Sequence, residues 1–389
     1  MNKVYIKKNA ERKIRRGYLW IFSNELEKIP DYESGTVVEV IDSHGNNYGV
    51  GFFNPNSLIS VRLLKSNREP DLDFFVARIY SAYSYRLNFF TGNESMRLIY
   101  GESDYLPGLI IDKYNDTFVM QIQSAGIETR KQIVVQALLK VFPNTKCIIT
   151  RTNSRLREIE GLPNNDELLY GKSDENIEIT ENGIKYIISV DFGQKTGFFL
   201  DQRFNRQFIA GISRGKKVLD CYTNQGGFAL NSALGGALSV DAIDISEQAI
   251  QSARRNAEIN KLKVNFEIAD VFRYMNDAIN ADKKWDIVIL DPPAFTKSKK
   301  TIKTAISAYH KLNKIALNIL NDGGYLVSSS CSHHLSENDF LDLIQNAAAK
   351  MNRQLKIVHR GYHSPDHPVL SSMPETYYLK FFVFKVESI

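Results

Sequence analysis

The residues whose types could do chemistry fall late in the chain, in five short segments. They are Asp220-Cys221-Tyr222-Thr223-Asn224-Gln225-Gly226-Gly227-Phe228, then Asp244, Asp270, Asp291-Pro292-Pro293 and Ser330-Cys331-Ser332. Each closes or follows an apolar, β-rich stretch. A cysteine at such a place suggests attack by a thiolate, the reactive form of the side chain. Carbon 5 of a pyrimidine is a poor nucleophile. A thiolate added at carbon 6 makes carbon 5 enamine-like, so that it can attack a methyl group. Cys331 is the candidate for that role. Asp291, just before two prolines, is the candidate to hydrogen-bond the base's N3 edge, donating a proton if its acidity is weakened.

The other segments look like a cofactor pocket. Gly226 and Gly227 let backbone approach a ligand where a Cβ would clash. Asp244 stands 18 residues after Gly226, where an acid accepts hydrogen bonds from both ribose hydroxyls. The turn does not spell G-x-G-x-x-G and offers no pyrophosphate cradle. An adenosine cofactor without a diphosphate, such as S-adenosylmethionine, therefore suits it better than NAD. Asp270 is placed to reach an adenine amino group. Phe228, Ile245 and Val271 are counted with the expected pocket. Each single acid has an ordinary alternative as a helix N-cap or turn residue. Their recurrence at successive strand ends carries the functional reading.

Asp291-Pro292-Pro293 ends the apolar run Ile287–Leu290, and two prolines stiffen the loop while exposing its carbonyls. Beyond them lie Phe295, Lys297, Lys299, Lys300 and Lys303. Four lysines without an acid suit a phosphate backbone, so Pro292, Pro293, Phe295, Lys297 and Lys299 are expected to face a nucleic-acid substrate. Cys147 reads as core and Cys221 as packing. No residue stands out as the base for the carbon-5 proton; His333, His334, His363 and His367 are candidates.

These segments need a frame. From about residue 200 strands at Lys217–Asp220, Ala237–Ile243, Val264–Ile268, Asp286–Leu290 and Gly324–Ser329 alternate with helices near 227–234, 247–260, 305–321 and 336–351. That alternation implies a doubly wound, parallel-rich α/β sheet, whose ligands bind beyond the carboxyl ends of its strands. Segments around Lys356–His359 and Tyr377–Val386 add strands, and 366–374 reads as a loop. Upstream, residues 1–75 read as a small β-rich domain, with strands at 36–40, 48–53 and 58–64. Residues 76–190 read as an α/β middle domain opened by an amphipathic helix over 76–95, with apolar residues at Phe75, Ile79, Tyr83, Leu87 and Phe90. It continues with strands at Phe118–Gln123, Cys147–Arg151 and Tyr186–Val190 and a helix near 128–141. The polar stretch 164–176 reads as a loop.

Composition sets the bounds. A chain of 389 residues with 43% hydrophobic and 24% charged residues is globular and too long for one core. No apolar run is long enough to span a bilayer and no secretory signal is seen, which points to the cytoplasm or a cytosol-like compartment. Three cysteines make no disulfide framework, and without CxxC or HExxH spacing no metal site is expected. Net charge is only +5, but the first twenty residues hold Lys3, Lys7, Lys8, Arg12, Lys13, Arg15 and Arg16 against Glu11 alone. That patch fits contact with phosphates; it also fits an organellar presequence, though strand-like sequence begins almost at once.

The segments together resemble the bacterial RlmI-type family of large-subunit ribosomal RNA cytosine-5 methyltransferases, over nearly the whole length. Arg16-Gly17-Tyr18-Leu19-Trp20-Ile21-Phe22 resembles the opening of that family's RNA-binding PUA domain. Gly101-Glu102-Ser103-Asp104-Tyr105-Leu106-Pro107-Gly108-Leu109 is similar to its middle domain. Gln194-Lys195-Thr196-Gly197-Phe198-Phe199-Leu200-Asp201-Gln202-Arg203 is similar to the segment that closes over the cofactor. Asp291-Pro292-Pro293, Ser330-Cys331-Ser332 and Asp366-His367-Pro368 also match. The resemblance implies a PUA domain over 1–75, a middle α/β domain over 76–190 and a Rossmann-like class I methyltransferase domain over 191–389. It implies S-adenosylmethionine held by Thr223, Asn224, Gly226, Asp244, Asp270 and Asp291, with Gln202 and Arg203 nearby. It also implies ribosomal RNA as partner, His367 among the RNA contacts, and attack by Cys331. Asn224-Gln225 replace the family's frequent Tyr-Thr. Ala294 follows Pro293, so the product-release cysteine of another cytosine-5 group is absent. Methylation of uracil carbon 5 or guanine N7, and a non-catalytic RNA-binding assembly factor, stand as the alternatives; guanine N7 chemistry needs no thiol. Oligomeric state is left open, a homodimer included.

Overall fold

The computed structural model describes residues 1–152, 155–189, 197–296 and 299–389, without the side chains of Arg155 and Lys299. The chain forms two compact units. The first holds residues 1–179, 188–200 and 365–377; the second holds 180–187, 201–364 and 378–389.

In the first unit, alternating apolar residues build two five-stranded sheets. One runs in the order Asn2–Ile6, Val37–Asp42, Asn47–Phe53, Ile59–Leu63, Trp20–Phe22. Its core of Val4, Ile6, Val38, Val40 and Val61 is joined by Met373, whose sulfur accepts from the Leu19 amide at 3.2 Å. The other sheet runs Leu168–Gly171, Cys147–Thr150, Thr117–Ile122, Leu109–Tyr114, Met96–Tyr100. The strand at 168–171 lies where the polar sequence predicted a loop. It is a four-residue edge strand, Leu-Leu-Tyr-Gly, too short to stand out from its polar flanks, and Leu169 packs on the core. The helix expected over 76–95 spans Leu72–Arg86. Phe75 and Ile79 are buried, whereas Leu87 lies past the helix end and is exposed. The helix stops where the guanidinium of buried Arg86 turns to meet Asp104 at 2.8 Å.

The second unit is built on seven strands: β1 Lys217–Cys221, β2 Ser239–Asp244, β3 Asn265–Ile268, β4 Trp285–Leu290, β5 Leu320–Ser330, β6 Arg353–Gly361 and β7 Lys380–Ser388. Their order is β3-β2-β1-β4-β5-β7-β6. The first five are parallel; β7 lies antiparallel to both β5 and β6. Helices α1 Arg203–Ile212, α2 Gly227–Leu234, α3 Glu247–Ile259, α4 Val271–Asn280, α5 Ile302–Asn318 and α6 Glu337–Ala349 accompany them. Both faces of the sheet carry apolar clusters. One gathers Leu219, Val288, Leu290, Tyr309 and Phe340; the other gathers Val218, Ala242, Ile287, Phe228 and Phe381. This is why β4 reads as a continuous apolar run rather than an alternating one. Helix α4 was not foreseen, although Asp270 caps it and Val271, Met275 and Ala278 bury one face. Among the described residues no helix is long and apolar enough to cross a membrane, and no group of His, Cys, Asp or Glu is arranged to hold a metal ion.

Candidate active site

In the order β3-β2-β1-β4-β5 the chain reverses direction of growth between β1 and β4, the place where open α/β sheets bind ligands. The loop after β1 turns tightly there. Tyr222, Asn224 and Gly226 adopt left-handed backbone with φ of 65°, 50° and 85°, and only glycine does so without strain. A Cβ on Gly226 would lie 3.3 Å from Leu230 and Ala253, and one on Gly227 would lie 3.1 Å from the Arg206 side chain. The crowding that requires these glycines thus comes from the protein itself.

Asp220, the last acid of β1, anchors this loop. Its Oδ2 accepts from Thr223 Oγ1 at 2.6 Å and from the Ala229 amide at 2.9 Å. Its Oδ1 is buried and has no hydrogen-bond partner among the described residues. Burial, aided by the charges of Asp291 and Asp244, weakens its acidity, with the pKa pushed up to about 7. Asp220 opens the segment Asp220–Phe228, and no role for it is read from the sequence. A carboxylate closing a buried strand was itself the available signal. Asp244, half-buried at the end of β2, accepts from the Asn224 amide at 3.0 Å and the Ser246 amide at 2.9 Å. It therefore ties the two loops together. Beside it Ile245 is 71% exposed, an apolar surface open to a flat ligand.

At the end of β4, Asp291 is half-buried and receives the Gln202 amide at 3.2 and 3.1 Å. The same nitrogen lies 3.2 Å from Ser329 Oγ, and Gln202 Oε1 accepts from Asn205 at 2.6 Å. Gln202 therefore acts through Asp291, because its amide is committed to protein partners. Burial raises Asp291 to about 6, with the hydrogen bonds from Ser329 and Gln202 opposing the rise. Pro292 is buried and Pro293 exposed. The half-buried Phe295 ring packs 4.6 Å from that of Tyr309.

The pairing of Leu290 with Ser328 between β4 and β5 brings Asp291 level with Ser329, two residues before Cys331. Cys331 is partly exposed, whereas Cys147 and Cys221 are buried. On either side of it the serines point inward. Ser330 Oγ donates to the Tyr309 hydroxyl at 3.0 Å, and Ser332 Oγ lies 3.5 Å from the same hydroxyl. Tyr309 thus fixes both neighbours of the thiol. From β7, Lys380 donates to the Ser332 carbonyl at 2.5 Å.

Several expected site residues stand elsewhere. Phe228 is a core residue, stacked on Phe381 at 5.8 Å, and the Val271 side chain is buried in the opposite cluster. Neither side chain faces a ligand, because the first turn of each helix aims inward. Arg203 is buried and paired with Glu181 at 3.2 Å, together with Arg206 at 2.7 Å. Its charge is held within the protein. Asp270 is exposed and caps α4 through the Arg273 amide at 2.9 Å, the ordinary role weighed against adenine contact. His367 is buried in the first unit, 3.0 Å from Asp366 and against the Tyr100 ring. A buried ring in that place is structural rather than an RNA contact. Lys297 and the Gln194-Lys195-Thr196 stretch lie outside the described residues, as does the side chain of Lys299; Lys300 and Lys303 are exposed.

A sequence model of a PUA-like domain matches residues 4–66, and one described as S-adenosylmethionine-dependent methyltransferase matches residues 159–384. Over the full length the chain is 37% identical to the ribosomal RNA large subunit methyltransferase I of Aliivibrio fischeri, covering 98% of this chain and 99% of that one. It is 35% identical to the Tolumonas auensis protein of the same name, covering 97% of each. The chain belongs to this methyltransferase family. A Streptococcus mutans S-adenosylmethionine-dependent methyltransferase has the same fold, with a TM-score of 0.85 at 24% identity over 99% of this chain and 100% of that one. A structure described as a methyltransferase complexed with SAH superimposes with a TM-score of 0.87 at 24% identity, over 99% and 100%. The PUA-like module and the parallel-rich class I sheet that the resemblance implied are both present. The methyltransferase's cofactor is S-adenosylmethionine, and the residues fit it. The buried, unpartnered Asp220 oxygen is an anionic acceptor suited to a cationic ligand, and Asp244 closes β2 at the ribose-binding position of this topology.

Proposed function

We propose that this methyltransferase forms 5-methylcytosine in large-subunit ribosomal RNA through a covalent adduct between Cys331 and carbon 6 of the base. The observation that carries the reading is a partly exposed thiol beside the Asp291 strand end, on the carboxyl edge that holds Asp220 and Asp244. The relatives' name supplies the substrate class. S-adenosylmethionine provides an electrophilic methyl group when bound.

Thr223, Asn224, Gly226, Asp220 and Asp244 hold the donor, with Ile245 against its flat end. Asp291, with acidity near 6, keeps a fraction of its protons at neutral pH and so can donate to the base's N3 edge. That donation stabilises charge on the ring as the thiolate adds. Cys331 Sγ would bond to carbon 6, carbon 5 would take the methyl group as its bond to the donor's sulfonium sulfur breaks and S-adenosylhomocysteine leaves, and loss of the carbon-5 proton to water would let the sulfur–carbon 6 bond break. Pro292 and Pro293 stiffen the loop beside the base. Phe295, Lys297, Lys299, Lys300 and Lys303 supply the neighbouring RNA surface. The basic PUA domain at 1–75 docks RNA, the middle domain at 76–190 joins it to the catalytic domain at 191–389, and the enzyme acts in the cytoplasm.

The test is Cys331→Ala, assayed with ribosomal RNA and isotopically labelled donor. Turnover should vanish while donor affinity by calorimetry is retained, and nucleoside mass spectrometry of the wild-type product should give 5-methylcytidine. Unchanged turnover, or 5-methyluridine or 7-methylguanosine as product, would sink the proposal.

A further inference from the structure

The final strand, β7, brings a charge to the Cys331 loop. In the β5–β7 pairing, Lys380 lies directly opposite Ser330, and its Nζ reaches the Ser332 carbonyl at 2.5 Å. The lysine therefore touches the chain on both sides of Cys331. It is only 2% exposed, a rare condition for a lysine. Burial pushes its pKa down to about 8, while the charges of Cys331 and Glu337 pull the other way. Glu337, at the start of α6, is itself shared with Arg360 of β6 at 3.4 Å. Tyr309 from α5 also turns toward the loop, a phenol whose acidity burial weakens further, and His333 on the loop itself packs 5.3 Å from the Tyr378 ring. Among the described residues Lys380 is a buried cation beside the thiol's loop.

We propose that Lys380 is a positioning residue for Cys331: its ammonium, sunk beside the loop that carries the thiol, keeps the sulfur ionised as the attacking thiolate. The assignment rests on Cys331 being the nucleophile. The thiol proton leaves to solvent, and the ammonium, hydrogen-bonded to the Ser332 carbonyl, faces the anion that remains. Because the ammonium itself is buried, water screens its charge little.

The experiment is alkylation of Cys331 by iodoacetamide in the full-length protein, followed by peptide mass mapping from pH 5.5 to 9.5. Cys147 and Cys221, both fully buried, serve as internal unreactive controls. The wild-type midpoint should fall below the ordinary thiol value of about 8.5. In Lys380→Met it should rise by about one pH unit, leaving roughly tenfold less thiolate at pH 7. The rate at pH 7 should then fall about threefold, because the more basic thiolate is the better nucleophile. Lys380→Arg keeps the charge and should hold the wild-type midpoint. An unchanged midpoint in Lys380→Met, or an equal rise in Lys380→Arg, would overturn the assignment. A wild-type midpoint at or above about 8.5 would do so even if Lys380→Met fails to fold. Alkylation reads ionisation and not methyl transfer. Full turnover by Cys331→Ala would therefore remove the nucleophile reading while this measurement still reported on Lys380.

Discussion

Asp220→Asn should make the methyltransferase more stable and a poorer binder of its cofactor. The Asp220 carboxyl is fully buried at the end of β1, and its pKa rises from 3.8 to about 7. A carboxyl raised in this way costs the folded state stability as it ionises. The unfolded chain loses the proton near 3.8 and the folded chain only near 7. Stability therefore falls as pH rises through that window and levels off above it. Three units of displacement correspond to about 4 kcal/mol at pH 8. Asparagine keeps an oxygen for Thr223 Oγ1 and the Ala229 amide but carries no charge, so it should recover about 2–4 kcal/mol of that cost. For a unit of this size the gain is several degrees in Tm at pH 8, shrinking toward zero near pH 4. Cofactor affinity should move the opposite way. Wild-type affinity should improve from pH 6 to pH 8 as Asp220 ionises against the cationic donor, and the variant should show a flat, weaker profile. Differential scanning calorimetry without ligand and isothermal titration at both pH values check the two halves. A variant that melts at or below the wild-type temperature at pH 8 would refute the buried-charge argument. Equal affinity and equal pH dependence would refute Asp220 as a donor contact.

Two further substitutions probe the frame. Gly226→Ala places a side chain at φ 85°, with its Cβ 3.3 Å from Leu230 and Ala253. It should cost about 1–2 kcal/mol by chemical denaturation and weaken cofactor binding, because the loop after β1 must shift. Glu181→Gln removes the carboxylate shared by buried Arg203 and Arg206. Stranding two guanidinium groups should cost about 3–5 kcal/mol in a urea midpoint, whereas a loss below ~1 kcal/mol would show that water or Asp201 takes over the pairing.

The sheet of the second unit was legible because its signals are local. β4 is an unbroken apolar run, since parallel strands are covered on both faces, and the acids and the thiol follow strand ends. Helix α4 and the edge strand at 168–171 escaped notice. The first buries only Val271, Met275 and Ala278 along one face, and the second is a four-residue Leu-Leu-Tyr-Gly run set inside a polar stretch. The roles assigned to Phe228, Val271, Arg203 and His367 moved because a residue's type and position do not say which way its side chain points. All four proved to be buried by neighbours far away in sequence.

By itself, the chain's order of residues determined the class of fold, the family, the cofactor and the edge along which the reactive groups lie. The fold class and the edge follow from periodicity and turn chemistry, the cofactor from the turn and the acids at strand ends, and the family from the resemblance carried by motifs spread along the chain. Only the tertiary structure decided that Asp220 is a buried acid with an unsatisfied oxygen, that Gln202 holds Asp291, and that Lys380 from the final strand stands beside Cys331. Those facts depend on strand register and on burial, which set local charge and acidity, and both arise only when segments distant in the chain are packed together.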